Sequence, residues 1–189
     1  MTSKVEIVNS ALITLGANVI NSFTDDTTES IAANVKWNIA LRATLREYPW
    51  KFATKRSTSL ARTASDPAFN YKYQYTLPSD CLRVIKVNED FDFKVEGRNI
   101  ITDKEDCYIQ YVYFNEDTAL WDASFTELMV AKMAYELAYT LPRSGGMVDR
   151  MYNLYQKQLI EARDADSSEQ MGGTLGQFES SLISVREYN

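Results

Sequence analysis

The spacing of apolar residues changes twice along this chain, and that double switch restricts the folds open to it. Near the start, Val5, Val8, Leu12 and Leu15 recur every three or four positions. Such spacing puts side chains on one face of an α-helix, and Gly16 is placed to end it. From Tyr71 the period becomes two. Tyr71, Tyr73, Tyr75 and Leu77 alternate with Lys72, Gln74 and Thr76, the pattern of a half-buried strand. Helical spacing returns after Ser124. Strands gathered between helices predict a segregated α+β arrangement, not alternating β and α units.

A second helix is expected to open near Asp26, with Glu29 at its third position, and to stop at Tyr48-Pro49. Its apolar residues fall in two rows, Ile31/Val35/Ile39 and Trp37/Leu41/Leu45/Tyr48. An arc that wide implies contact on more than one side. Further strands are expected over 82–87, 91–95, 100–102 and 107–114, with a turn at Glu96-Gly97-Arg98-Asn99. The short connections suit one compact antiparallel sheet of hairpins or a meander. Ser124 and Glu127 have capping-box spacing for a third helix, which runs to about Leu141 with Ala131, Ala134 and Ala138 on one face. Pro142 and Gly145-Gly146 mark a break. A fourth helix over 147–166 carries Met151, Leu154, Tyr155, Leu159 and Ala162.

The expected fold is therefore α+β, mainly α: a four-helix bundle with a small antiparallel β-sheet inserted between helices 2 and 3, and an extended C-terminal arm. Residues 1–50 and 120–168 would form the bundle, 51–119 the β domain and 169–189 the arm.

Composition bears on function. With 26 acidic against 20 basic residues, the net charge of −6 opposes tight, non-specific binding to nucleic acid. Histidine is absent. That removes Ser-His-Asp and Cys-His catalysis, histidine-ligated metals and the usual general base near neutral pH. No Walker or Rossmann glycine loop occurs, and no apolar run spans a bilayer. The start of the chain lacks the pattern of a signal peptide. The reading is a non-enzyme with no cofactor, no catalytic residue, no metal site and no membrane contact.

Some candidates need weighing. Cys81 and Cys107 lie in strand-like segments and are expected to serve as small buried residues. The acidic groups Glu89/Asp90/Asp92 and Asp103/Glu105/Asp106 could offer oxygen ligands, but their spacing matches no calcium loop. The twelve tyrosines suit a protein contact or a core better than a base-stacking platform, which needs a basic groove. Lys51, Lys55 and Arg56, with Tyr71 and Tyr73, are candidate contacts to a subunit or partner; the alternative is a solvated face. Past Ser168 the helical period fails, yet the tail carries Leu175, Phe178, Leu182, Ile183, Val185, Arg186 and Tyr188. Ordering a residue costs roughly 1–2 kcal/mol. An apolar, glycine-punctuated tail is thus expected to order against another chain, or else against its own domain.

Several segments, in order, carry a resemblance. They are Asn9-Ser10-Ala11-Leu12 through Leu15-Gly16, Pro49-Trp50-Lys51-Phe52-Ala53, Tyr75-Thr76-Leu77-Pro78-Ser79-Asp80-Cys81, Val95-Glu96-Gly97-Arg98, the 131–141 helix and Glu161-Ala162-Arg163-Asp164-Ala165-Asp166. Together they resemble the tail tubular protein A family, the head-tail adaptors of short-tailed bacteriophages. The resemblance implies a helical bundle bearing a small β domain, assembled as a twelve-membered ring between the portal protein and the tail nozzle protein. It implies that the free protein is monomeric until it meets the portal, that the C-terminal arm reaches the portal, and that DNA passes through the lumen without tight binding. The protein would be made in a bacterial cytoplasm and reside in the virion neck. The competing class is a non-catalytic scaffold or peptide-binding module of a bacterial cytoplasm.

Overall fold

In the computed structural model, residues 2–88, 91–141 and 145–168 are described. By their internal contacts they divide into two compact units, one of Asn34–Trp121 and one of Thr2–Ala33 with the chain from Asp122 onward.

The second of these units is helical. Helix α1, Lys4–Thr14, begins with a reciprocal cap: Ser3 Oγ accepts the Glu6 amide at 3.2 Å, and the Glu6 carboxylate accepts the Ser3 amide at 2.6 Å. Two orphan donors of the first turn are thus satisfied together, and the bonds from Ser3 hold the Glu6 carboxyl below its ordinary pKa. Gly16, at φ 65°, turns the chain out of α1 in the left-handed region that glycine tolerates. Asn9 then pins the following loop, exchanging two 2.9 Å bonds with the backbone of Ile20.

Helix α3, Ala123–Thr140, packs against α1 and against α4, Gly145–Ser168. Its Phe125, Leu128, Met129, Met133 and Leu137 are fully buried, and Ala131, Ala134 and Ala138 let the neighbouring helices approach. On α4 the buried row is Met151, Tyr155, Leu159 and Ala162, one face at three- and four-residue spacing. Lys132 is nearly buried here. Its ammonium lies 3.3 Å from Glu136 Oε1 and 4.7 Å from the centre of the Tyr155 ring, so the charge keeps partners.

The Asn34–Trp121 unit joins most of helix α2, Thr28–Glu47, to two three-stranded antiparallel sheets. The strands are β1 (Thr54–Arg56), β2 (Tyr73–Thr76), β3 (Cys81–Val87), β4 (Phe93–Glu96), β5 (Asn99–Thr102) and β6 (Ile109–Tyr113). One sheet runs β1-β6-β3 and the other β2-β5-β4. Tyr75, Leu77, Cys81, Ile100, Cys107, Ile109 and Tyr111, drawn from both, form one apolar core. At the C-terminal end of α2, the indole of Trp50 is fully buried and donates to the Thr44 carbonyl at 3.0 Å. That carbonyl belongs to the last turn of the helix, where intrahelical donors run out.

Several expectations need correction. The four-helix bundle with one sheet is not what forms: the fold is mixed α and β, with four helices and two sheets. The reason lies in α2. From Asn34 onward it groups with the β-containing unit, with Trp37 stacked on Trp121 at 6.2 Å and Arg42 3.8 Å over the Phe114 ring. The strands also do not form a meander. Only β4 and β5 make a tight hairpin, through Gly97-Arg98, with positive φ at Gly97 (59°) and not at Arg98, as in a type II′ turn. The other pairings join distant strands, and β1 was missed because three residues are too few to show a period.

Two caps shift as well. Thr27 Oγ1, not Asp26, accepts the Ser30 amide at the start of α2. Asp122, not Ser124, caps α3 by accepting the Phe125 amide at 2.7 Å. Gly145 and Gly146, expected as a break, form the first turn of α4.

Candidate assembly surface

Of the two apolar rows on α2, one is used inside the molecule and the other is not. Trp37, Leu41 and Leu45 are buried to within 3%. Ile31, Val35 and Ile39 lie four residues apart on another face of the same helix and are 56%, 62% and 62% exposed. Single exposed apolar residues are ordinary, but three large ones aligned on one helix face form a stripe that water wets at a cost.

The candidate contacts in the β-containing unit do not gather in one place. Lys55, on β1, bonds Asp80 Oδ2 at 3.0 Å and lies 3.6 Å over the Tyr113 ring. Asp80 also accepts from the Tyr111 hydroxyl at 3.3 Å, so it fastens β1 to the sheet interior. Arg56, the next residue, is exposed, and Lys51 sits half-buried in the 3-10 turn Lys51–Ala53. Tyr71 and Tyr73 belong to the neighbourhood of the other sheet. Their hydroxyls donate to Asp92 at 3.0 Å and to Glu105 at 3.2 Å; desolvation and then the Asp92 bond raise the Tyr71 phenol pKa, and the Glu105 bond foremost raises that of Tyr73. The arm residues Leu175, Phe178, Leu182, Ile183, Val185, Arg186 and Tyr188 lie outside the described residues.

Three of the acidic residues are engaged in this same network, while Glu89 and Asp90 lie outside the described residues. Asp92 and Glu105 accept from tyrosines, and Asp103 accepts the Lys72 amide at 3.0 Å. Among the described residues no group of three or more carboxylate or thiol ligands could hold a metal ion, and no helix is long and apolar enough to cross a membrane.

A feature that the sequence did not reveal is a cavity of about 380 Å³ beside β3 and β4. Arg46 from α2, Arg83 from β3 and Arg98 from the β4–β5 turn line it, with Leu82, Phe93 and Val95 among its apolar walls. Arg46 donates to the Leu82 carbonyl, and Arg98 to the carbonyls of Pro78 and, at 2.8 Å, Cys81. No local motif links three arginines so far apart in the chain. Only the fold assembles them.

Cys81 and Cys107 are both free and buried. Burial pushes the Cys107 thiol up to about 11 and the Tyr111 phenol up to about 12, the latter helped by the charge of Asp80. The sign follows directly. Below pH 9 both groups are protonated in folded and unfolded chains, and their contribution to stability is fully present. Above it the unfolded chain loses protons that the folded chain keeps, so stability falls as pH rises toward 11 and 12. The urea midpoint should therefore stay flat near neutrality and decline above about pH 9. Cys107→Ala should lessen the early part of that decline, to which the buried Cys81 thiol, also raised, contributes, and Tyr111→Phe should lessen the part that begins near pH 10.

In comparison with known proteins, no family model matches this chain, and no curated protein matches it significantly.

Proposed function

We propose that the protein is a non-enzymatic structural adaptor of a short-tailed phage particle, forming a ring between the portal and the tail nozzle. The observation that carries this reading is the α2 stripe of Ile31, Val35 and Ile39, which is left exposed beside a fully used core row. In a ring, a neighbouring copy covers that stripe, and its burial contributes to closure. The resemblance to tail tubular protein A adaptors, spread over most of the chain, supplies the particle context: a virion component made in a bacterial cytoplasm. An acidic protein also suits a channel through which DNA must slide, because like charge opposes sticking. The arm beyond Ser168, with Leu182, Ile183 and Val185, is the segment assigned to the portal.

The test is to mix the purified chain with portal rings and image the product by negative stain. A ring of twelve subunits seated on the portal is expected, and a chain ending at Ser168 should fail to co-purify with it. Portal binding that survives the truncation would remove the arm from the interface. A chain that never joins a portal, nor fractionates with virions, would instead favour a cytoplasmic scaffold or peptide-binding module.

A further inference from the structure

We propose that the cavity beside β3 and β4 binds an extended segment of a partner protein in which carboxylates alternate with apolar side chains. The carboxylates would be received by Arg46, Arg83 and Arg98. Carboxylates outnumber cations in this chain, yet among the described residues none of these three guanidiniums is ion-paired. The adjacent Asp80 is already held by Lys55 and Tyr111.

Arg46 and Arg98 are fixed by the backbone carbonyls they donate to, and each keeps further N–H donors. A guanidinium held in place loses little freedom when it meets an anion, and its planar fork matches a carboxylate. The walls argue for more than a bare anion. Leu82, Phe93 and Val95 offer apolar surface next to the charge, and the volume falls within the range of ligand-binding pockets.

The flanking strands indicate an extended occupant. β3 and β4 are each hydrogen-bonded on one side only and are edges of their sheets. Arginine already takes the Cys81 and Leu82 carbonyls, so β4 is the edge able to accept added backbone. A nucleic acid fits less well, since its phosphates bring no apolar group and the chain as a whole repels them.

The probe is a fluorescein-labelled peptide of alternating Glu and Leu, titrated with the full chain and followed by anisotropy. A matched peptide of Gln and Leu is the control. Saturable binding of the Glu peptide is expected, weakened about tenfold or more in the Gln peptide and in Arg83→Gln. Arg83 is the residue to change because its side chain makes no internal hydrogen bond or ion pair among the described residues, so the melting temperature should hold. Lys86→Gln, on the same strand but outside the cavity, should bind like the parent. No saturable binding, equal binding of both peptides, or equal losses in Arg83→Gln and Lys86→Gln would overturn the site. A single-stranded oligonucleotide that displaces the peptide and binds more tightly would overturn the protein partner. Should Arg83→Gln melt early, Arg83→Lys decides: it keeps the charge, and binding near the parental level supports the proposal, while complete loss in a folded variant overturns it.

Discussion

Trp50→Ala should destabilise the protein by about 3–5 kcal/mol, the usual cost of removing a large buried aromatic. Trp50 is completely buried, and its loss leaves a cavity where the end of α2 meets the chain leading to β1. Two further contacts go with it. The ring stands edge-on to Tyr48 at 5.0 Å, and its N–H satisfies the Thr44 carbonyl. Trp50→Phe separates these effects. It keeps much of the apolar volume but abandons the carbonyl, so it should cost about 1–3 kcal/mol, mainly from that buried acceptor. Urea unfolding of the two variants beside the parent measures both numbers. Similar losses would mean that the hydrogen bond, not the volume, dominates.

The second large effect is on assembly and should leave the fold intact. Val35→Glu combined with Ile39→Glu puts two charges on the exposed row of α2. Both side chains are mostly exposed, and glutamate is at least as good a helix former as valine or isoleucine. The melting temperature should therefore hold, because surface changes of this kind stay within about 0.5 kcal/mol. Ring formation should not hold. Each large apolar side chain buried at an interface contributes about 1.5–3 kcal/mol, so losing both weakens subunit contact by about a hundredfold or more. Rings that form on the portal at parental concentration would show that the stripe is not the subunit contact.

The first experiment addresses the chain just beyond α2 and the second the exposed face of that helix, and α2 also shows where the sequence was legible. Its two apolar rows could be read from spacing alone, because periodicity records which residues share a face. Which row meets the core could not, because that depends on a tertiary neighbour. Trp37 finds Trp121, far along the chain, while Ile31, Val35 and Ile39 stay mostly exposed. The caps missed by one or two residues for a related reason. Asp26, Thr27, Asp122 and Ser124 are all competent caps, and the choice between neighbours rests on where the chain enters the helix.

The sheets were harder still. Alternation at Tyr73 and Tyr75 located a strand, but pairing partners are not a local property. A single sheet was the simplest inference from short connections. What forms instead is a pair of sheets sharing one core, because Tyr75 and Ile100 from one and Cys81 and Ile109 from the other bury together. The arginine cavity shares this dependence on pairing. Arg83 and Arg98 meet only because β3 and β4 lie at sheet edges beside the same opening.

The central position of β6 has a consequence in time. Both neighbours in its sheet, β1 and β3, precede it in the chain and make their native ladders only with it. During synthesis they wait without a native partner until Ile109–Tyr113 has left the ribosome. Closing so long a loop is entropically slow, and unpaired edges are exposed in the interval. Early release of a shortened chain lacking β6 would leave two orphan strands, a species prone to sticking to its own kind.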